Sequence, residues 1–397
     1  MRSVAPILVL LPLLLPWLMT TDAIGQASGG PAPPDRPPEQ EGSPAIDNFG
    51  TSGRGQRERG QISSLGFSHD GKILAAGDCE GIVTYYDPVT ASKRSSFRVN
   101  EFAKGHVADF AFSPDGQTLA VPCEEGVLGL FDAGSGRLRL KMVMPPVIAP
   151  SFLHAVAYSP DGKVVAAGAG SGSGPNSRNG EVSLWDAASG RHRRTLPAYF
   201  VPPEVSGPFD RVTNGHRAPI TGLAFSPDGS VLFALVGGAL ARSWDVETGE
   251  ERQLDINTVY PQSMALSTDG KVLALGGGYG ESTNSSRYTI ALWDVASMRK
   301  LGEMDTRDPI TGLAFLPASR TLVCVDKAQV VRLWDADRRQ SPAAIRFDHH
   351  YHPRRLAVSP DGRLIAVGGG DSSLTAGFIQ LIDTDGTTLK LRKPKQP

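Results

Sequence analysis

The stretch Ile220 to Asp245, ITGLAFSPDGSVLFALVGGALARSWD, constrains the fold more than any other, because variants of it recur to the C-terminus. Two apolar runs, Leu223-Ala224-Phe225 and Val231 to Val236, flank Ser226-Pro227-Asp228-Gly229. Proline presets φ at about −65° early in a turn and glycine accepts the positive φ that closes it. The pattern therefore predicts two antiparallel strands joined tightly, with the aspartate accepting backbone amides inside the turn. Both alternating faces of each run are apolar or small, which predicts strands covered on both sides.

The same turn recurs at Ser68-His69-Asp70-Gly71, Ser113 to Gly116, Ser159 to Gly162, Ser267-Thr268-Asp269-Gly270 and Ser359 to Gly362. A decayed seventh copy, Leu316-Pro317-Ala318-Ser319, is secured by the run before it, because Pro309 to Phe315 repeats Pro219 to Phe225 letter for letter. Each turn leads to an aromatic or apolar residue and then Asp: Tyr86-Asp87, Phe131-Asp132, Trp185-Asp186, Trp244-Asp245, Trp293-Asp294, Trp334-Asp335 and Ile382-Asp383. The spacing from turn to Asp is 19 residues in four units and 27, 27 and 24 in units three, five and seven. A common frame with loop insertions gives that distribution. A further turn and apolar stretch follow each Asp, so four strands per unit are expected.

A period in the forties with SPDG and WD signatures resembles the tryptophan–aspartate (WD) repeat family of β-propellers, and the resemblance suggests a bacterial exported member. It covers about residues 60–391 and implies an all-β, seven-bladed β-propeller of four-stranded antiparallel blades. The chain departs from the family pattern. Gly-His before the first strand is present as Gly105-His106 and Gly215-His216, with Asp348-His349 degenerate, and the aspartate between the second and third strands is recognisable as Asp78 and Asp326. The family's buried Trp–Ser/Thr–His–Asp network is incomplete, so packing is expected to carry stability.

Residues 1–25 pair Arg2 with an apolar stretch from Val4 to Met19 and small residues at Ala23-Ile24-Gly25. The run is shorter than the roughly 20 residues of a spanning helix, and Pro6, Pro12 and Pro16 interrupt it. It reads as a secretory signal peptide, with an uncleaved anchor as the alternative and the only implied route to a membrane. Residues 26–59, rich in Pro, Gly, Glu and Ser at their start, read as a disordered linker. Residues 392–397 form a basic tail, expected to be solvated. Thr387 to Leu391 follows Asp383 as a fourth strand would, so each blade is expected to be contiguous, with no N-terminal strand completing the last one.

Net charge is −1, which makes no electrostatic case for nucleic acid. Three cysteines, Cys79, Cys123 and Cys324, are an odd count for an exported chain, and buried thiols or a Cys79–Cys123 pair are both open. The insertions fall between second and third strands at Gly168–Glu181, Gly276–Thr289 and Gly368–Phe378, with a fourth, Pro197–Gly215, between units. In a propeller such loops share one face, and loops on a rigid scaffold are where recognition concentrates. Tyr199, Phe200, Phe209, Arg178, Tyr279 and Tyr288 are the candidate anchors for a protein or peptide partner. The alternative is loop-length drift without consequence.

His349, His350 and His352, beside Asp348, are the metal candidates by composition. Neither a P-loop, a calcium loop nor a nucleophile elbow appears, so no cofactor and no catalytic residue is assigned. The expected protein is a non-enzymatic, monomeric, exported scaffold, periplasmic or extracellular. A propeller hydrolase or metal-dependent enzyme with its site at the central channel is the alternative, and polysaccharide or cell-wall binding through Tyr199, Phe200 and Tyr279 is a third.

Overall fold

The computed structural model describes residues 40–41 and most of 60–392. Outside the description lie residues 1–39, 42–59 and 393–397, together with loops at 100–106, 124–125, 146–151, 171–179, 199–218, 237–239, 253–260, 279–287, 348–351 and 372–375. The signal-peptide, tail and most linker expectations fall on those residues. All described residues belong to one compact unit, 37–397.

The hairpin pattern folds as its turns dictate. In the fourth blade Ser226 Oγ donates to Asp228 Oδ1 at 2.6 Å and accepts from Val231 N at 2.9 Å, while Asp228 Oδ1 also accepts from Ser230 N at 3.0 Å. Five more blades repeat this set of bonds around Ser68, Ser113, Ser159, Ser267 and Ser359. The decayed copy closes differently, with Ser319 Oγ donating to Leu316 O at 3.2 Å.

A two-residue strand, β1 (Gln40–Glu41), precedes the repeats. Blade 1 comprises β2 (Ile62–Phe67), β3 (Leu74–Asp78), β4 (Ile82–Tyr86) and β5 (Lys93–Arg98). Blade 2 follows as β6 (Ala111–Phe112), β7 (Thr118–Pro122), β8 (Val127–Asp132) and β9 (Leu138–Val143). Blade 3 is β10 (Phe152–Tyr158), β11 (Val164–Gly170), β12 (Glu181–Asp186) and β13 (His192–Pro197). Blade 4 is β14 (Ile220–Phe225), β15 (Val231–Val236), β16 (Leu240–Asp245) and β17 (Glu251–Arg252). Blade 5 runs through β18 (Pro261–Leu266), β19 (Val272–Gly278), β20 (Tyr288–Asp294) and β21 (Arg299–Thr306). Blade 6 is β22 (Ile310–Phe315), β23 (Thr321–Asp326), β24 (Val330–Asp335) and β25 (Gln340–Arg346), and blade 7 is β26 (His352–Val358), β27 (Leu364–Gly370), β28 (Gly377–Thr384) and β29 (Leu389–Leu391).

Every blade is an antiparallel meander in chain order. The last blade is completed by its own β29, as expected, while β1 adds in parallel to the outer edge of blade 6, Gln40 registering with Ile345. That pairing is the described part of the linker, and it differs from a spacer without secondary structure.

First strands pack side by side from β6 of blade 2 round to β26 of blade 7, and β26 packs on β2 to close the ring. The core is divided among the blade interfaces. One apolar cluster spans each neighbouring pair, from Tyr85 and Phe112 between blades 1 and 2 to Leu74, Tyr86, Leu364 and Leu381 between blades 1 and 7. Each fully buried Leu or Ile in them contributes about 1.5–3 kcal/mol. This is why both faces of the repeat strands are apolar.

Apolar packing joins the blades, while His106, His216 and His349, on which the family's polar network would turn, lie outside the described residues. Trp185 and Trp244 are buried in these clusters, and among the described residues the buried Trp293 indole N–H has no hydrogen-bond partner. Asp78 and Asp326 keep local turn roles: Asp78 Oδ1 accepts from Glu80 N and Ile82 N, each at 2.9 Å, and Asp326 accepts from Val330 N at 2.9 Å and pairs with Arg332. All three cysteines are free thiols, and burial pushes Cys324 up to about 12.

Candidate functional site: the mouth of the central channel

Register places the insertions relative to the channel. Phe152, at the start of β10, pairs with Gly170 at the end of β11, and Glu181 begins β12 beside it. Likewise Pro261 pairs with Gly277, and His352 with Gly370. The starts of the innermost strands therefore share a rim with the flanks of all three insertions between second and third strands. β14, which follows residues 199–218, begins on the same rim, Ile220 pairing with Val236.

The innermost strands carry a feature that the repeat alignment hides. Six of them have a β-bulge near their start, which skips one residue in the ladder with β3, β11, β15, β19, β23 or β27. The skipped residues are Ser63, His154, Thr221, Gln262, Thr311 and Arg354. All six are polar. A bulge re-aims a side chain out of the sheet's alternation, and three of these turn back onto second-strand carbonyls. Ser63 Oγ donates to Gly77 O at 3.2 Å, Thr311 Oγ1 to Val325 O at 3.3 Å, and His154 Nε2 lies 3.2 Å from Gly170 O. Thr221, Gln262 and Arg354 are exposed.

Blade 2 lacks this arrangement because its first strand is reduced to β6. The residues just before it, Ala108 and Asp109, instead bond to an arginine side chain two blades away and to a main-chain amide of the next blade. Arg355 Nη2 of blade 7 donates to Ala108 O at 3.3 Å, reaching past blade 1, and Arg355 Nη1 donates to Arg354 O at 3.1 Å. Asp109 Oδ2 accepts from Val156 N of blade 3 at 3.0 Å. Arg355 is crowded by neighbouring protein yet remains solvent-exposed.

Electrostatics follow from these contacts. Burial pushes Asp109 up to about 6, opposed by the Val156 amide and the Arg355 charge. Burial also lowers Arg355 from its ordinary range, against the pull of Asp109, and lowers His154. Phe152 stands 47% exposed on the rim with its ring 6.4 Å from that of His154.

Of the residues singled out from sequence, Tyr288 is half-buried at the start of β20, opposite Gly278, on the insertion rim. His352 is exposed at the start of β26. Arg178, Tyr199, Phe200, Phe209, Tyr279, His349 and His350 lie outside the described residues. Among the described residues no three His, Cys, Asp or Glu side chains gather as a metal site, and no helix is long and apolar enough to cross a membrane. Sequence reasoning missed Asp109, Arg354, Arg355 and Phe152. The available signal was their fixed distance, four, five or seven residues, ahead of the turn serine.

Residues 207–245 match the family model described as WD domain, G-beta repeat. The chain is 28% identical to WD repeat-containing protein 90 of Xenopus tropicalis over 172 residues, 39% of this chain and 9% of that protein. It is 23% identical to the Cell division cycle 20.1, cofactor of APC complex, of Arabidopsis thaliana over 284 residues, covering 62% of this chain and 58% of that one. With Nuclear distribution protein PAC1 of Arthroderma otae the identity is 25% over 245 residues, 54% and 50% of the two chains. The chain thus spans less than two thirds of each relative, and all three relatives are eukaryotic. Seven four-stranded blades and these matches together support a WD-repeat propeller.

Proposed function

We propose that the protein is a non-enzymatic, exported scaffold that binds a protein or peptide partner on the insertion-bearing face around the channel mouth. The observation that carries the reading is convergence: the flanks of three long insertions and the starts of the innermost strands occupy one rim. A rigid ring with variable loops on one side is the arrangement in which recognition is concentrated. The relatives add support, since one is named as a cofactor of a complex. Tyr199, Phe200, Phe209, Arg178, Tyr279 and Tyr288 remain the candidate anchors of this face. Export rests on the leader-like residues 1–25, which predict a mature chain starting near Gln26.

The test is comparative capture from the envelope fraction of the native organism. The intact protein is one bait, and a variant with Pro197–Gly215 replaced by a short Gly/Ser link is the other. A protein retained by the first and lost with the second supports the reading. Equal capture by both baits, or none by either, overturns it.

A further inference from the structure

We propose that the outer wall of blades 1 to 3 docks the protein on the surface of an anionic lipid bilayer. The inference goes beyond the scaffold reading, since it concerns the circumference of the ring and leaves the insertion rim free for a partner.

Charge is sorted by sign around that circumference. Between the Asp that ends its third strand and the end of its outer strand, blade 1 sets Lys93, Arg94 and Arg98 against Asp87 alone. Blade 2 sets Arg137, Arg139 and Lys141 against Asp132, and blade 3 sets Arg191, Arg193 and Arg194 against Asp186. Each of these three stretches has a formal charge of +2. The same stretch is −3 in blade 4, counted to Arg252, −1 in blade 5, +1 in blade 6 and 0 in blade 7. In blades 1 to 3 each Asp pairs with one arginine, Arg94, Arg139 or Arg193, and two further cations per blade stand in excess. All of these lysines and arginines are exposed.

Charge on an outer strand guards the sheet edge against unwanted pairing whatever its sign. Blade 4 does so with acids, Glu250 and Glu251, so edge protection leaves three adjacent blades of one sign unexplained. Exposed apolar side chains fall on the same arc. Among the described residues five large apolar side chains are exposed, and three of them lie here: Val89 in the turn before β5, and Leu138 and Val143 at the two ends of β9. β9 is also the middle outer strand of the three. Asp115, close enough to feel Arg139, offsets part of the field there, yet Arg137 and Lys141 flank the same spot. Cations on both sides of a central apolar contact suit an anionic bilayer, whose phosphates attract the first and whose headgroup region takes up the second. A free phosphate ion or a soluble polyanion would use the cations and gain nothing from Leu138 or Val143.

The experiment is co-sedimentation of the mature chain, from Gln26 onward, with vesicles of mixed phosphatidylglycerol and phosphatidylcholine, beside vesicles of phosphatidylcholine alone. R137Q/R191Q is compared with R299Q/R346Q, which removes the same charge from exposed arginines on the outer strands of blades 5 and 6. Among the described residues none of these four side chains makes a bond, so the unfolding midpoints are expected to match the wild type. Anionic vesicles are expected to bind at least about tenfold tighter than neutral ones, the difference closing as salt rises. R137Q/R191Q is expected to lose about fivefold for each charge removed, and R299Q/R346Q less than about twofold. V143S, which changes no charge, is expected to lose about threefold. Equal binding to the two vesicle types, no binding, R137Q/R191Q matching R299Q/R346Q, or V143S matching the wild type overturns the proposal. Release by inorganic phosphate beyond that by chloride of equal ionic strength overturns it too. Partner capture that depends on Pro197–Gly215 is untouched by either result, so the two readings fail separately.

Discussion

At the residue scale the channel acid gives a prediction with a definite sign. Asp109 titrates at about 6 in the folded chain against an ordinary 3.8, so the folded state holds the proton over a window where the unfolded chain has lost it. Above pH 6 its ionised form works against folding. As pH falls from 6 to 4 the opposition is relieved, a swing of up to about 3 kcal/mol, since each tenfold change in proton affinity is worth about 1.36 kcal/mol. The charged group acting on it is Arg355 from blade 7, which together with the Val156 and Phe110 amides opposes the rise. D109N keeps an oxygen for the Val156 amide and removes the titration. Its unfolding midpoint in urea should exceed the wild-type value at pH 7.5 and converge on it near pH 4. A constant difference across that range would show that Asp109 does not titrate there. Below pH 4 both proteins should weaken, because carboxylates such as Asp87 and Asp161, held near 2 chiefly by side-chain hydrogen bonds from Arg94 and Ser159, lose their partners on protonation.

A second residue-scale prediction separates backbone strain from overlap at one turn type. Gly116 and Gly270 have nearly the same left-handed φ, 70° and 68°. A Cβ on Gly116 would meet nothing within 4 Å, whereas one on Gly270 would lie 2.5 Å from Pro227 Cδ of the preceding blade. G116A should cost about 1–2 kcal/mol, the strain alone. G270A should cost about 1–3 kcal/mol more, because the proline ring is too stiff to yield. Equal midpoints in thermal unfolding would place Pro227 further away than described. The turns were legible in the sequence because their chemistry is local. Arg355 was not, since its partner Ala108 lies 247 residues away, and no periodicity brings that pair together.

At the element scale the weak point is the seam between blades 7 and 1, the one junction without a covalent connection. Elsewhere the chain itself joins neighbours, and at blades 3 and 4 Arg194 adds bonds to Thr248 O at 2.6 Å and Glu247 O at 3.1 Å. At the seam Arg392 takes the corresponding place. It pairs with Asp383 and donates to Pro88 O of blade 1 at 2.6 Å, beside a cleft of about 670 Å³ lined by His69, Val89 and Pro360. The expectation of a solvated tail thus fails at its first residue. R392M and R194M each remove a partly exposed bridge worth about 1 kcal/mol. Their consequences should differ, because only the seam can part without stretching the backbone. Amide exchange in β2 to β5 and β26 to β29 should quicken in R392M, while R194M should leave blades 3 and 4 close to wild type. Exchange left unchanged in R392M would mean that the Leu74–Leu381 cluster closes the ring without Arg392, and comparable quickening in both variants would mean that the seam is no weaker than the other junctions. Strand count and blade order were readable because each hairpin repeats its own pattern. The way the ring shuts was not, because it depends on which end of the chain supplies the last contact.

At the scale of the whole molecule, the division between ring and loops sets what can be changed. Stability sits in apolar clusters at the blade interfaces, on strands that run without the insertions. The insertions leave and rejoin those strands at paired residues, Ala169 opposite Glu181 and Gly278 opposite Tyr288, so a shorter link meets the same ends. Replacing 171–179 or 279–287 by a two-residue Gly link should therefore move the unfolding free energy by no more than about 1 kcal/mol, since closure entropy depends only weakly on loop length. The same variants, used as baits, should lose partner capture wherever the removed loop belongs to the binding face. Retained stability with lost capture would assign that loop to recognition. Retained stability with unchanged capture would assign it to length drift, and a collapse in stability would place it in the ring itself. The design answers loop by loop, because the blades beneath are independent enough in their packing to tolerate each change alone.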